Sequence, residues 1–343
     1  LFRSMVPPKV SVLLPFHEPG EFFSDALTST LHQYGVNFEV VLVANNPDHG
    51  SMQTALRMAA AHPKIKLVHE NRQGISHALN CGLKHCSGEY IARMDADDIM
   101  LPGRLAFQSD YLDANDDTDV VSGLVIEEKE HQELHQTDGM KEYTGTVNDL
   151  LTHQSMFHHR FIDAPVIHPS VMFRKKLIDR FGDYNTAEIP EDFEMWLRWF
   201  NENVRFAKLN LPVLMWRDHA KRLTRSAPSY SSHAFDLVRM HYLSRFLSNQ
   251  MKPGKELWIW GAGKYARRKI RLLPADTIPV EGFIDVDLNA SVAGFPVMHY
   301  TTLPPPGKMF IVSLVSNRGK YHEIRHFLLS KGYEEGVDFV LGA

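Results

Sequence analysis

The chain has 343 residues, enough for about two domains with full cores. Its 44% hydrophobic and 23% charged content is that of an ordinary soluble protein, and no apolar run reaches the roughly 20 residues that would span a bilayer. The net charge of −4 exerts no general pull on nucleic acid or anionic lipid, and two cysteines, Cys81 and Cys86, exclude a disulfide framework and fit a reducing cytoplasm.

In chain order, the apolar run at 9–15 predicts a buried strand stopped by Pro15, and 20–34 carries apolar residues at helical spacing. Residues 38–44 predict a second strand, broken by the loop composition of Asn45-Asn46-Pro47-Asp48-His49-Gly50. A helix at 52–61, a strand at 65–69, a helix at 76–85 and a strand at 90–94 follow. Strands alternating with helices predict a doubly wound, mainly parallel sheet.

The strand at 90–94 ends on three carboxylates, Asp95, Asp97 and Asp98. Open α/β sheets bind ligands at the carboxyl ends of their strands. Carboxylates this close repel one another unless a cation sits among them, which suits a hard divalent ion, Mg²⁺ or Mn²⁺, bridging to phosphate. An acidic turn capping the next helix is the plainer reading of the same residues.

After a strand at 120–126 the pattern changes. A polar loop or hairpin is expected at 127–138, a helix at 147–158, an amphipathic aromatic helix at 191–201, a strand at 209–216 and a long helix at 231–248. Basic residues crowd the stretch from Arg205 to Arg271. The linker at Pro253-Gly254 is the expected domain boundary. Beyond it the chain starts over with strands at 256–260, 279–285 and 308–315. Gly261-Ala-Gly263 stands between a strand and a helix, with Asp285 ending the next strand. That is the dinucleotide fingerprint in its required context.

Five motifs stand in order: Pro15-Phe16-His17-Glu18, Asn71 to Asn80 with Arg72, Arg93 to Asp98, His168 to Arg174, and Pro190 to Arg198. The series closely resembles the family-2, inverting nucleotide-sugar glycosyltransferases of GT-A fold, from about residue 9 to 225. The resemblance implies a GT-A domain at 1–230, a connecting helix and linker at 231–253, and a small Rossmann-like domain at 254–343. It implies that Pro15, Phe16, His17 and Glu18 lie along the nucleoside, with Arg72 near nucleotide or phosphate. Asp95 would face the ribose, and Asp97 and Asp98 would hold Mn²⁺ or Mg²⁺. Asp192, in the acidic pair opening the aromatic helix, matches the catalytic base; the alternative is that Glu191 and Asp192 only cap that helix. Trp216 to Arg225 resembles the family's late segment, so His219 is a candidate metal ligand and Arg217, Arg222 and Arg225 candidate phosphate clamps. His168 would shape the acceptor pocket.

There is one departure. The family often carries Asp after the second strand to read the base; here the position is Ala44, and Asn45 is the candidate substitute. The function so implied is metal-dependent transfer of a sugar from a nucleotide-diphosphate donor, UDP-sugar by default, to an acceptor hydroxyl. The acceptor (glycan, lipid-linked glycan, small metabolite, or at low weight nucleic acid) would be met by 127–168. Two alternatives stand beside it: an NAD(P) oxidoreductase built on Gly261 and Gly263, and an inactive nucleotide-sugar-binding protein.

Overall fold

A computed structural model describes residues 7–129, 138–219, 222–274, 278–315 and 319–342. In chain order the larger elements begin β1 (Val10–Phe16), α1 (Phe23–Leu31), β2 (Phe38–Ala44), α2 (His49–Ala61), β3 (Ile65–His69), α3 (Ile75–Leu83) and β4 (Tyr90–Arg93). Then come β5 (Ile99–Met100), α4 (Arg104–Ala114), β6 (Val120–Lys129), α5 (Asp138–Asp149), α6 (His153–His159), β7 (Met172–Arg174), α7 (Lys176–Phe181), α8 (Glu191–Asn201) and β8 (Phe206–Asp218). The rest are α9 (Leu223–Ser226), α10 (Ser232–Gln250), β9 (Glu256–Trp260), α11 (Lys264–Ile270), β10 (Val280–Asp285), β11 (Val297–His299), β12 (Met309–Ser313), α12 (Lys320–Ser330) and β13 (Phe339–Leu341).

Packing divides the chain into two units. The first comprises Leu1–His153, Val166–Ala187 and Asn203–Ala227; the second comprises Gln154–Pro165, Glu188–Glu202 and Pro228–Ala343. The two expected sheets fall in different units, while the aromatic helix α8 groups with the second.

The first unit holds a sheet of order β3-β2-β1-β4-β7-β6-β8-β5. β1 to β4 are mutually parallel; β7 runs antiparallel to both of its neighbours, and β6 and β8 are parallel. β1 is buried along its whole length, as a strand covered on both faces must be, and therefore reads as one continuous apolar run. α3 lies close on this sheet because Gly82 has no side chain: a Cβ there would stand 2.3 Å from Leu13 Cδ1 and 2.7 Å from Val43 Cγ2. Val12, Leu14, Leu42, Ala92, Met94 and Met172 belong to one core beneath the sheet.

The second unit holds an all-parallel sheet of order β11-β10-β9-β12-β13. Counted from β9, this is the 3-2-1-4-5 order of a doubly wound nucleotide-binding half. α8 packs on α10: the Tyr242 hydroxyl donates to Glu194, which also takes the Arg198 guanidinium at 3.1 Å. Trp196 and Trp199 are fully buried. Asp236, buried on α10, meets Arg239 at 2.6 Å, Arg268 at 3.3 Å and Lys269 at 3.8 Å.

Several expected elements shift. The helix expected at 147–158 is two helices, α5 and α6, of which α5 starts nine residues earlier. Met140, Tyr143 and Val147 give α5 a helical stripe on the core that its polar surroundings hide. The strand expected at 209–216 runs from Phe206 to Asp218, and that at 120–126 extends to Lys129. Of the loop expected at 127–138, residues 130–137 lie outside the described residues. Among the described residues no helix is long and apolar enough to cross a membrane.

Candidate active site

The three acids follow β4 at the carboxyl end of the first sheet, on the turn into β5. One carboxylate oxygen from each of Asp95, Asp97 and Asp98 lies within 4.8 Å of the others. Each is held by a different element. Asp95 Oδ1 accepts from Arg93 Nη1 at 2.5 Å, Asp97 Oδ2 faces His219 Nε2 at 2.9 Å, and Asp98 Oδ1 accepts from the Arg217 N–H of β8 at 2.9 Å. Asp98 is 1% exposed, and its Oδ2 is buried with no hydrogen-bond partner. A buried carboxylate oxygen without a donor is costly unless a cation approaches it.

The electrostatics agree. Burial, reinforced by Asp97 and Asp95, raises the Asp98 carboxyl well above the ordinary range. Burial also raises Asp95, although the Arg93 guanidinium works against it. Asp97 is held low: burial pushes it up, but the His219 hydrogen bond and the Arg222 charge outweigh that. Three oxygen-donor acids with one orphaned oxygen fit a hard divalent cation. Asp95, Asp97 and Asp98 could hold one, and His219 lies beside Asp97.

The basic residues of the late segment surround this cluster unequally. Arg222 is buried, stacks 3.9 Å over the Trp216 ring, donates to the Arg217 carbonyl, and acts electrostatically on all three acids. Arg225 donates to the His219 carbonyl at 3.0 Å and pairs with Asp218 at 2.5 Å. Arg217 instead makes ion pairs with Glu128 at 2.7 Å and Asp25 at 2.9 Å. Most of the basic stretch thus faces internal carboxylates and carbonyls, including Arg239, Arg268 and Lys269 around Asp236. Lys252, Lys264, Arg267 and Arg271 of the same stretch are exposed.

At the neighbouring strand ends, Pro15 and Phe16 are buried in β1, with Phe16 stacked on Phe23 at 4.6 Å. His17 Nδ1 lies 2.8 Å from the Asn45 carbonyl, and Glu18 is exposed. Glu18, Glu21, Phe23, Ser24, Asp48 and Ser51 line an open cleft of about 550 Å³. Asn45 is 5% exposed, and its side chain is committed to the loop before α3. Its Nδ2 donates to the Glu70 and Arg72 carbonyls at 2.9 and 2.7 Å, and its Oδ1 accepts from the Gly74 N–H at 3.0 Å. Gly74 takes φ +125° there, a conformation open to glycine. Arg72 forms a forked pair with Glu70, at 3.0 and 2.8 Å, whose hydrogen bonds bring the Glu70 carboxyl down to about 2. Sequence reasoning missed Glu70, although an acid just after β3 and two residues before Arg72 was a readable signal.

His168 and Asp192 make their own contacts. Buried His168 places Nε2 2.9 Å from the Tyr184 hydroxyl, and Asn80 grips Tyr184 by both its N–H and carbonyl, at 2.9 and 2.7 Å. In the second unit, Asp192 is the second residue of α8 and accepts the Phe193 N–H at 2.7 Å, while Glu191 takes the Tyr230 hydroxyl at 2.6 Å. The C-terminal glycine loop closes on itself. Asp285 Oδ2 accepts from Ala262 N–H at 2.7 Å, and its Oδ1 from Val286 and Asp287 at 2.8 and 3.0 Å. The acid that would hold a dinucleotide ribose is thereby occupied by backbone, so the oxidoreductase alternative is not favoured.

Comparison with known proteins agrees with the geometry. The Glycosyl transferase family 2 profile matches residues 11–182. The O-antigen biosynthesis glycosyltransferase WbnJ of Escherichia coli is 29% identical over 246 residues, covering 70% of this chain and 91% of that one. The amylovoran biosynthesis glycosyltransferase AmsE of Erwinia amylovora is 33% identical over 194 residues, 55% of this chain and 68% of that one. Among solved structures, S. aureus TarS residues 1–349 in complex with UDP-GlcNAc superposes with a TM-score of 0.51 at 16% identity, covering 70% of this chain and 73% of that one. By profile, relatives and fold together, this chain belongs to glycosyl transferase family 2 and is a glycosyltransferase that uses nucleotide-sugar donors.

Proposed function

We propose that the enzyme carries out a metal-dependent, inverting transfer of a sugar from a UDP-sugar to an acceptor hydroxyl. The observation that carries the reading is the packing of Asp95, Asp97 and Asp98 within 4.8 Å with Asp98 Oδ2 buried and unpartnered. When bound, a divalent cation supplies Lewis-acid neutralisation of the diphosphate leaving group. Asp97 and Asp98 would be its oxygen ligands, with His219 beside Asp97 as a further donor. Asp95 faces the ribose, and Arg222 and Arg225 answer the phosphate charge. Pro15 to Glu18 and the Arg72 loop flank the nucleoside, with Asn45 acting through the loop it holds.

Inversion is a single displacement at the anomeric carbon: the acceptor oxygen forms its bond as the carbon–oxygen bond to the diphosphate breaks. The acceptor proton passes to the Asp192 carboxylate as general base. Placement in the first turn of α8 favours the ionised carboxylate this needs. The segment 127–168 meets the acceptor, a glycan, lipid-linked glycan or small metabolite, and the domain division expected at 1–230 and 254–343 separates transfer from a packing or regulatory module.

A thermal-shift panel of UDP, GDP, CDP, TDP and NAD(H), with and without Mn²⁺, tests the donor. Stabilisation by UDP only with metal supports the reading; a metal-independent response to NAD(H) alone overturns it. For the base, Asp192→Asn abolishes transfer and spares donor binding, and retained turnover removes Asp192 from the role.

A further inference from the structure

Beneath the acid cluster lies a second charged group that the transfer reaction leaves unassigned. Arg104 opens α4 after Gly103, which caps the helix at φ +78°, and its side chain is completely buried. All five guanidinium N–H groups have acceptors. Nη1 donates to the Pro169 carbonyl at 2.6 Å and reaches Met94 Sδ at 3.9 Å; Nη2 donates to the Arg93 and Val171 carbonyls at 2.9 and 3.2 Å; Nε donates to Gln108 Oε1 at 2.9 Å. Gln108, one turn later and equally buried, donates through Nε2 to the Ser170 and Val121 carbonyls at 2.9 and 3.2 Å.

None of these partners is a carboxylate. A buried cation held only by neutral groups carries a desolvation cost that apolar packing of the same volume would avoid. Burial brings its pKa down to about 9, still above neutrality, and the acid that acts on it electrostatically is Asp98. The carbonyls it gathers have a common location. Arg93 is the last residue of β4, two before Asp95; Val171 immediately precedes β7, which pairs with β4; Pro169 stands two residues before Val171; and Gln108 adds the Val121 carbonyl of β6, the next strand.

We propose that Arg104, oriented by Gln108, is a positioning residue of the donor-and-metal site, its fork fixing the main chain that leads into Asp95, Asp97 and Asp98 and its charge lying under their carboxylates. This rests on the reading that those acids hold a cation. Outer partners of metal ligands typically change metal affinity about 10- to 100-fold when altered. Lysine loses the planar fork, and its amine gives up its proton more readily than a guanidinium when buried, so Arg104→Lys tests fork and charge together, while Gln108→Met leaves the charge in place and tests the orientation of the fork.

The test uses the full chain. Binding of Mn²⁺ alone is followed by the paramagnetic resonance of the free ion, without donor, and kcat and KM are measured separately for donor and acceptor. Arg104→Lys is expected to weaken Mn²⁺ binding about 10-fold or more and to lower kcat, with the acceptor KM unchanged. Gln108→Met, which keeps both volume and the Arg104 charge, is expected to weaken Mn²⁺ binding less, and it decides the matter if Arg104→Lys does not fold. Mn²⁺ affinity within twofold of the unsubstituted protein in the folded variants, with kcat unchanged, overturns the assignment of Arg104 while leaving the metal site standing. Failure of the unsubstituted protein to bind Mn²⁺ overturns the metal reading itself, and this assignment with it.

Discussion

Replacing Asn45 by Asp discriminates two roles for the residue that follows the expected base-reading position. Asp has nearly the same shape but no N–H₂, so the Glu70 and Arg72 carbonyls each lose a donor, while the Gly74 N–H keeps its acceptor. A lost hydrogen bond is worth about 1 kcal/mol net, and a buried carbonyl left without a partner costs about 1–3 kcal/mol. With one carbonyl in a buried setting and the other half-open, the loop from Glu70 to Gly74 is expected to lose about 2–4 kcal/mol of local stability. At 1.4 kcal/mol per decade this is a fall of roughly 30- to 700-fold in protection. Hydrogen exchange at the Arg72 and Gly74 amides reads it directly, because the loss is local to the loop. Donor KM should rise with it, because Arg72 rides on the loop. Protection within threefold of the unsubstituted protein would refute the anchoring argument; unchanged protection with a raised donor KM would return Asn45 to direct contact with the base.

Asp236→Asn leaves Arg239 and Lys269 buried without their counter-charge, and the second unit should lose about 3–5 kcal/mol, read as a lower urea midpoint. The Glu70 carboxyl, brought from 4.5 to about 2 by Arg72, contributes stability that is complete above its ordinary value and is lost as pH falls toward 2. The difference in melting temperature between the unsubstituted protein and Glu70→Gln should therefore shrink between about pH 5 and pH 2; a constant difference would mean the pair adds nothing. Asp97→Asn should abolish Mn²⁺-dependent stabilisation by UDP while the protein still melts cooperatively. Mn²⁺-dependent stabilisation by UDP that persists in that variant and disappears on chelation would exclude Asp97 as a ligand.

The acid turn was legible because three carboxylates follow an apolar strand at the carboxyl end of a sheet, where ligands bind, and a series of other motifs accompanies them. The parallel half from β1 to β4 was legible for the same reason: residues buried on both faces leave an unbroken apolar signature. β8 was read short because Lys208, Arg217 and Asp218 look like strand ends. Each is buried with a partner outside the strand: Lys208 on the Val147 carbonyl, Arg217 between Asp25 and Glu128, and Asp218 on Arg225. β5 has only two residues and exists because β8 runs beside it. The roles of Arg217 and Asn45 were illegible on the same ground, since a charge or an amide states its chemistry in the sequence but not which distant group it meets. Arg104 carried no local signal at all; only the convergence of the Arg93, Val171 and Pro169 carbonyls on its fork distinguishes it from a helix-surface arginine.

The order of strands in the first sheet also constrains how the protein emerges from the ribosome. β7 and β8 are the last of its eight strands to be synthesised, yet β7 lies between β4 and β6, and β8 between β6 and β5. Until residue 174 has left the exit tunnel, β4 has an open edge and β6 has no strand to join it to the older half. Until residue 218 follows, β5 and the outer side of β6 are unpaired. A nascent chain is therefore exposed to edge-to-edge association over a long window, and truncation inside β8 should yield aggregates rather than a smaller working enzyme.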